Sequence, residues 1–206
     1  MDTFEITKSP VAPEQFDLPV TDPGRGLPLM QALQKRRSYR DFSADDISDR
    51  QLAELLWAAN GINEPVEFRG IMGMRTAPSA RNHQEIDLYV FLPSGIYLYD
   101  GWNNRLTLVR EGDYRARAGI QEFYAMAPVA LCIVADFSRM GSYNDEQKVF
   151  YSAADAGYVS QNIYLYCASA GLATVACGRI DRESLHELLF LKDARALLSH
   201  PVGKNV

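Results

Sequence analysis

Residues 145–170 read DEQKVFYSAADAGYVSQNIYLYCASA, and how that stretch is read decides the fold. It predicts the longest helix of the chain, apolar on most of its sides. A surface helix carries one apolar stripe opposite a polar face, so a helix of this kind belongs in an interior. Gly171 follows where a residue without Cβ ends a helix most readily. LATVACG, residues 172–178, then predicts a short strand.

Upstream, Pro128 interrupts the chain before a continuous apolar run, APVALCIVADF at residues 127–137, the pattern of a strand covered on both faces. Residues 113–126 predict a helix. Before them, IDLYVFLPSGIYLYDGWNNRLTLV (86–109) has turn signals at Pro93-Ser94-Gly95 and at Gly101–Asn104, which predicts three short antiparallel strands. Residues 62–85 read as loop, with Gly70, Gly73, Pro78 and SARNHQ. Ser48 and Gln51 form a capping-box pattern ahead of Leu52, Leu55, Leu56 and Ala59, a helical stripe that ends at Asn60-Gly61. Pro28 suits the first turn of a helix over about 28–37 with Leu29, Ala32 and Leu33 on one face. Residues 1–26, with four prolines and two glycines, predict an extended arm. A last short helix begins near Asp181, and LLSHPVGKNV closes the chain without an assigned element. Helices and strands mingle without regular βαβ alternation, which makes the class α+β.

The 206 residues suit a single domain spanning 1–206. A formal charge of −5 argues against nucleic acid or an anionic membrane as partner, so any basic cluster serves something small or internal. Cys132, Cys167 and Cys177 are odd in number and lack CxxC spacing, which points to a reducing compartment and no disulfide framework. No signal-peptide pattern and no membrane-length apolar run is present, so a soluble, cytoplasmic protein is expected. GxGxxG after a strand, GxxxxGK[ST], GxSxG and HExxH are all missing. His83, His186 and His200 stand far apart without ligand spacing, and no metal site is expected.

Three short segments carry candidate chemistry. KRRSYRDF, residues 35–42, sets Lys35, Arg36, Arg37 and Arg40 around Ser38 in an acidic chain. Cations at a helix C-terminus are favoured by its dipole, which is the plain explanation. The alternative is a phosphate clamp, with bidentate guanidinium groups and a hydroxyl. PSARNHQ, residues 78–84, offers a turn at Pro78-Ser79, small Ala80 and the polar groups of Arg81 and Asn82, or is simply a polar loop. ATVACGRID, residues 173–181, is either a tight strand-to-helix turn or a platform where small residues and Gly178 let backbone N–H groups approach a ligand. A clamp, a polar clip and a small-residue platform are together what a phosphorylated planar heterocycle needs. Flavin mononucleotide, FMN, is such a molecule.

With these motifs in order, the chain resembles the FMN-dependent nitroreductase family over about residues 25–204. It is most similar to the subgroup that includes the azoline-peptide dehydrogenases (SagB-type). The pieces that carry the resemblance are RRSYRDF, APSARNHQ, GIYLYDGWNNRLTLVREGDYR, GIQEFYAMAPVALCIVAD, AADAGYVSQNIYLYCASAGLATVACGRID and PVGK. The resemblance implies a nitroreductase-like fold, a central mostly antiparallel sheet flanked by helices, with the 145–170 helix in a dimer core. It implies a homodimer with FMN at the interface, each site drawing on both chains. Arg36, Arg37, Ser38 and Arg40 match the phosphate and pyrimidine contacts, with Arg36 and Arg40 as candidate electrostatic stabilisers. Pro78, Ser79, Ala80, Arg81 and Asn82 match the partner's clip, and Gln121 matches a polar contact to the pyrimidine edge. Ala176, Cys177 and Gly178 match the platform near flavin N5, and Lys204 stands where the family places a further cation. The implied activity is hydride transfer from NAD(P)H to a small nitro- or quinone-type acceptor by a ping-pong scheme, with no catalytic side chain required. The alternatives are an FMN-dependent dehydrogenase of a thiazoline or oxazoline substrate, and a non-catalytic flavin- or metabolite-binding homodimer. Two departures stand out. Ala176-Cys177 replaces the acidic residue common on the platform, and the Lys–Tyr pair of the azoline-peptide dehydrogenases has no assigned counterpart. Cys177 is either a redox thiol beside the flavin or a small apolar filler.

Overall fold

A computed structural model describes residues 5–43, 45–68 and 71–206; Gly70 and residues 1–4 of the expected arm lie outside the described residues. In chain order the elements are β1 (Gln15–Asp17), α1 (Leu29–Lys35), α2 (Asp49–Asn60), β2 (Ile62–Phe68), β3 (Ile71–Arg75), β4 (Ile86–Leu92), β5 (Gly95–Asp100), β6 (Arg105–Glu111), β7 (Val129–Asp136), α3 (Asp145–Ala170), β8 (Leu172–Thr174), α4 (Arg182–Leu188) and β9 (Ala194–Lys204). Seven strands form one sheet in the order β1-β6-β5-β4-β7-β9-β8. Every pairing in it is antiparallel. Helices flank this sheet, in keeping with the α+β class.

The apolar run 127–137 becomes β7, and its alternation explains why it is apolar at every position. Val129, Leu131, Ile133 and Ala135 join the core made with Leu52, Leu55 and Leu56 of α2 and Val159 and Ile163 of α3. Ala130, Cys132 and Val134 point to the other face and meet Leu185 and Leu188 of α4. Side chains alternate along a strand, so a strand with a core on each side has no polar position to offer. Full burial of each larger aliphatic side chain stabilises the fold by about 1.5–3 kcal/mol.

The two long helices begin where the sequence places them. Ser48 Oγ accepts from Gln51 N (3.2 Å) while Gln51 Oε1 accepts from Ser48 N (2.9 Å), closing the capping box of α2. Asn144 and Gln147 close the same box on α3. Gly171 ends α3 with φ 69°, in the left-handed region that favours glycine.

Several sequence expectations are corrected. Part of the expected loop 62–85 is the β2–β3 hairpin, set apart from the main sheet. Its pairing is broken by register shifts, so it has no clean alternation to read. A Cβ on Gly73, where φ is +75°, would come within 2.6 Å of Ile62, so that glycine permits the close crossing. The expected helix 113–126 is instead two short 3-10 turns, Arg115–Arg117 and Glu122–Ala125. The chain doubles back at Gly119, where a Cβ would lie 2.0 Å from the Tyr124 ring, and a continuous helix could not make that approach. The arm contains β1, which pairs with β6 at the sheet edge. The last segment, left without an element, is β9, the strand between β7 and β8.

Proline in the interior of a sheet normally argues against a strand, because it cannot donate to the ladder. Pro201 is accommodated by a gap. Ser199 exchanges both backbone bonds with Cys177, so Pro201, two residues on, turns its nitrogen to the same side. There the neighbouring chain leaves the sheet between Thr174 and Cys177. The unpaired stretch Val175–Ala176 is part of the turn singled out in the sequence, and the register is unchanged across it.

Within one chain α3 is not interior on all sides. It buries Ser152, Asp155, Ala156, Val159, Ser160, Ile163 and Cys167. Val149, Phe150, Ala153, Ala154, Gly157, Tyr158 and Gln161 are exposed, Phe150 by 68%. On α1 only Ala32 of the expected apolar face is buried; Leu29 and Leu33 are exposed, as is Met30.

Candidate functional site

The basic segment leaves α1 and is laced to the ends of two strands. Tyr39 N donates to Thr174 O (3.0 Å) and Ser43 N to Lys204 O (2.9 Å). The cations then take different roles. Arg37 folds back, its Nη1 donating to Gln34 O (3.0 Å) and Arg36 O (2.8 Å). That is the helix-end role, satisfying carbonyls that have no partner further along the helix. Arg36 instead lies 5.1 Å from the centroid of the Tyr164 ring, a cation–π arrangement that fixes the guanidinium. Arg40 and Ser38 are exposed. Lys204 is exposed too, with its Nζ 3.9 Å from Asp45.

Tyr164 is the junction that sequence reasoning missed. Its hydroxyl accepts from Ala176 N (2.8 Å) and shares a hydrogen bond with Ser38 Oγ (2.9 Å). One side chain of α3 thereby joins the cation segment to the turn after β8, two of the three segments chosen from sequence. The partners are 126 residues apart for Ser38, and no local pattern signals them. His200 buttresses this junction from within the core. Its two ring nitrogens face Ser160 Oγ (2.8 Å) and Thr174 Oγ1 (3.1 Å), and its ring meets that of Tyr164 edge-on at 5.3 Å. Complete burial pushes its pKa down to about 3, so this imidazole is neutral at any ordinary pH.

The turn after β8 is less open than its small residues suggest. Ala176 N is bound to Tyr164 and Cys177 N to Ser199 O (2.8 Å), so neither is a free donor for a ligand. Gly178 remains exposed, and a Cβ there would meet nothing nearer than Leu198 at 3.7 Å. Its smallness is therefore not demanded by packing within the chain. The Cys177 side chain is buried in the core beside α4, which fits the filler reading of that thiol. Gln121 precedes the 3-10 turn that sets Phe123 against Phe42, the last residue of the basic segment, with ring centroids 5.9 Å apart. Gln121 Oε1 is buried and has no hydrogen-bond partner among the described residues. A buried acceptor without a donor costs about 1–3 kcal/mol, so this atom is suited to a ligand N–H.

The third segment lies elsewhere. Residues 79–84 form a turn with left-handed backbone at Arg81 (φ 51°), Asn82 (φ 56°) and Gln84 (φ 52°). Non-glycine residues pay roughly 1–2 kcal/mol each for that conformation, and hydrogen bonds hold them in it. Gln84 N donates to Ser79 Oγ (2.9 Å), and Gln84 Nε2 donates to Gly73 O (2.9 Å) and Asn82 Oδ1 (3.1 Å). Arg139 Nη1 donates to Gln84 O (2.7 Å) and Ala80 N to Asp155 Oδ2 (2.8 Å). Pro78 and Arg81 are exposed at its tip, the latter 5.4 Å over the Tyr143 ring.

The two anchors on α3 decide what one chain can do alone. Asp155 holds the 79–84 turn and Tyr164 holds the cation segment. Nine residues separate them (155 to 164), which is about 14 Å along the axis and roughly half a turn around it. The two segments thus flank opposite sides of the helix and do not converge on one small molecule within a single chain. Between them runs the exposed apolar side of α3.

The nitroreductase family model matches residues 33–204. A relative from Methanocaldococcus jannaschii with a provisional nitroreductase name is 29% identical over 188 residues, covering 86% of this chain and 91% of its own. A crystal structure from Ralstonia eutropha JMP134, also provisionally named a nitroreductase, has a TM-score of 0.87 and 40% identity, covering 94% of this chain and 90% of that one. The NADPH:FMN oxidoreductase of Vibrio harveyi, solved in complex with NAD+, shares the fold with a TM-score of 0.60 at 20% identity, covering 86% of this chain and 68% of that one.

Proposed function

The chain belongs to the nitroreductase family, and from that premise we propose that it is an FMN-dependent oxidoreductase taking hydride from NAD(P)H and passing it to a small nitro- or quinone-type acceptor. The observation that carries this reading is the junction at Tyr164, where Arg36, Ser38 and the Ala176–Gly178 turn come together. The residues fit FMN on a second count. Gln121 Oε1 is a buried acceptor awaiting a donor, and the pyrimidine edge of a flavin carries an N–H. Arg36, Ser38 and Arg40 would hold the phosphate and pyrimidine ends, and Gly178 would lie against the ring. The Pro78–Asn82 turn and its polar groups would come from a second copy, since one chain keeps them on the far side of α3. We accordingly infer a homodimer closed over the exposed face of α3.

When bound, FMN supplies the hydride chemistry, and this chain's residues bind and orient it. The Arg36 guanidinium, pinned over Tyr164, keeps positive charge beside the cofactor without reorganising during turnover. Donor and acceptor use the same site in turn, which makes the kinetics ping-pong.

The test is the visible spectrum of the purified protein under anaerobic conditions, before and after NADH or NADPH. A yellow protein that bleaches supports the reading. A yellow protein that does not bleach moves the source of electrons to the substrate, as in a dehydrogenase of a thiazoline or oxazoline. A colourless protein that takes up no FMN overturns it. Among the cations, Arg36→Ala is expected to weaken FMN binding about 10- to 100-fold, the loss of a charge-assisted contact of ~1.5–3 kcal/mol. Arg37→Ala is expected to leave affinity within about twofold and to lower stability by about 1 kcal/mol at most, because that side chain caps the helix. Equal losses in the two variants, read by fluorescence titration with FMN, would contradict this division.

A further inference from the structure

Glu85 follows the left-handed turn directly. It is completely buried, and neither carboxylate oxygen has a hydrogen-bond partner among the described residues. Asp155, which approaches from α3, is buried as well and holds Ala80 N through Oδ2 (2.8 Å). Two cations lie in this region: Arg75, whose Nε donates to Gln84 Oε1 (3.0 Å), and Arg139, in the 3-10 turn after β7. Arg139 is engaged by Asp87 on β4, by Asp136 (3.0 Å) at the end of β7 and by Gln84 O (2.7 Å). His83, two residues before Glu85, faces Ser142 and the Tyr143 ring. Glu85 is thus left with a second carboxyl group and no cation of its own. A carboxyl group buried without a hydrogen-bond partner does not ionise readily, so Glu85 holds its proton. Burial first, and then Asp155, push the Glu85 carboxyl up to about 7, while Arg139 pulls the other way.

We propose that Glu85 retains its proton as a latch that lets Asp155 position the Pro78–Asn82 turn, and that its loss to solvent at alkaline pH loosens the turn and the cofactor it contacts. The strain in the turn gives the latch its effect. Three left-handed residues favour release, and the bond from Ala80 N to Asp155 ties the turn to α3. A negative charge on Glu85 repels the Asp155 carboxylate and draws water to the pair, which weakens the hold on Ala80 N. Only an O–H bond breaks, and the proton goes to water. The part of the proposal that concerns the cofactor rests on the FMN reading; the latch itself does not.

Hydrogen exchange at the Ala80 amide therefore comes first, in the protein without added cofactor and corrected for intrinsic exchange. Its protection is expected to fall about tenfold between pH 6 and pH 8.5, since each pH unit above neutrality can shift the balance up to tenfold. Glu85→Gln, which cannot ionise, is expected to keep protection level over that range. Asp155→Asn keeps an acceptor for Ala80 N and is expected to do the same, which covers the case where Glu85→Gln does not fold. Asp155→Ala is expected to lose protection at every pH. Wild-type protection that does not change with pH, or changes equally in Glu85→Gln and Asp155→Asn, overturns the latch. FMN titration over the same pH range is the second readout. Affinity that weakens in step with protection in the wild type, and stays level in Glu85→Gln, supports the link to the cofactor. FMN affinity that stays level while protection falls overturns the link. Protection that falls in a protein binding no FMN at any pH leaves the latch standing and removes the flavin reading.

Discussion

Gly157→Arg is expected to convert the proposed homodimer into a folded monomer, with FMN affinity lowered by about 100-fold or more. Gly157 lies mid-way along the exposed side of α3, between Ala153, Ala154 and Gln161. A Cβ there meets nothing within 4 Å inside the chain, so the substitution disturbs no internal packing. Exchanging glycine for a good helix former even favours the isolated helix by ~0.5–1 kcal/mol. A long cation at a close helix–helix contact must be buried without a partner or must hold the helices apart, and either costs several kcal/mol. In the proposed homodimer the flavin would follow the dimer, because the Pro78–Asn82 turn of one chain sits on the far side of its own α3 from the Tyr164 junction. Light scattering reads the mass against the 23.1 kDa chain, and flavin fluorescence reads the affinity. A wild-type monomer that binds FMN tightly, or a Gly157→Arg dimer with unchanged affinity, would show that the exposed face serves another purpose.

The second large effect concerns acid stability and belongs to His200. In the folded protein burial holds its pKa near 3, whereas an exposed histidine titrates near 6.5. Between those values the unfolded chain binds a proton that the folded chain refuses. Stability therefore falls as pH drops through this window, and the effect vanishes above about 6.5. At pH 4 the expected penalty is on the order of 3 kcal/mol, from 1.36 kcal/mol per pH unit. His200→Gln removes the titration. It is expected to cost about 1–3 kcal/mol at neutral pH through the changed bonds to Ser160 and Thr174, and then to lose less than the wild type on acidification. Glu85 acts in the opposite sense, since its raised pKa makes stability fall as pH rises from about 4.5 to 7. It is present in both proteins and cancels in the difference. Urea denaturation of each at pH 7 and pH 4 measures it. Parallel losses in the two proteins would mean that His200 is protonated in the fold or solvated on acidification.

The cations illustrate how far composition reaches. From sequence, KRRSYRDF admits both a helix-end role and an anion clamp, and the structure gives the helix-end role to one cation of the segment. Arg37 caps α1 while Arg36 stacks on Tyr164. Cys177 divides the same way, small enough for a platform yet turned into the core.

What the chain determined by itself is whatever depends on neighbours within a few residues. The capping box of α2, the glycine stop at Gly171, the three strands expected within 86–109 and the doubly covered β7 all follow from local backbone and alternation rules, and all are found. The three candidate segments are marked by their residue types alone. Tertiary structure decided the remainder. β9 is a strand because β7 and β8 pair with it and a gap in the β8 ladder excuses Pro201; residues 113–126 turn back because Gly119 meets the Tyr124 ring. Tyr164, His200, Asp155 and Glu85 act through partners that lie many residues away along the chain, except that Glu85 also borders the turn it helps to hold. No periodicity encodes such pairings, because they exist only once α3 has brought one segment to each of its sides.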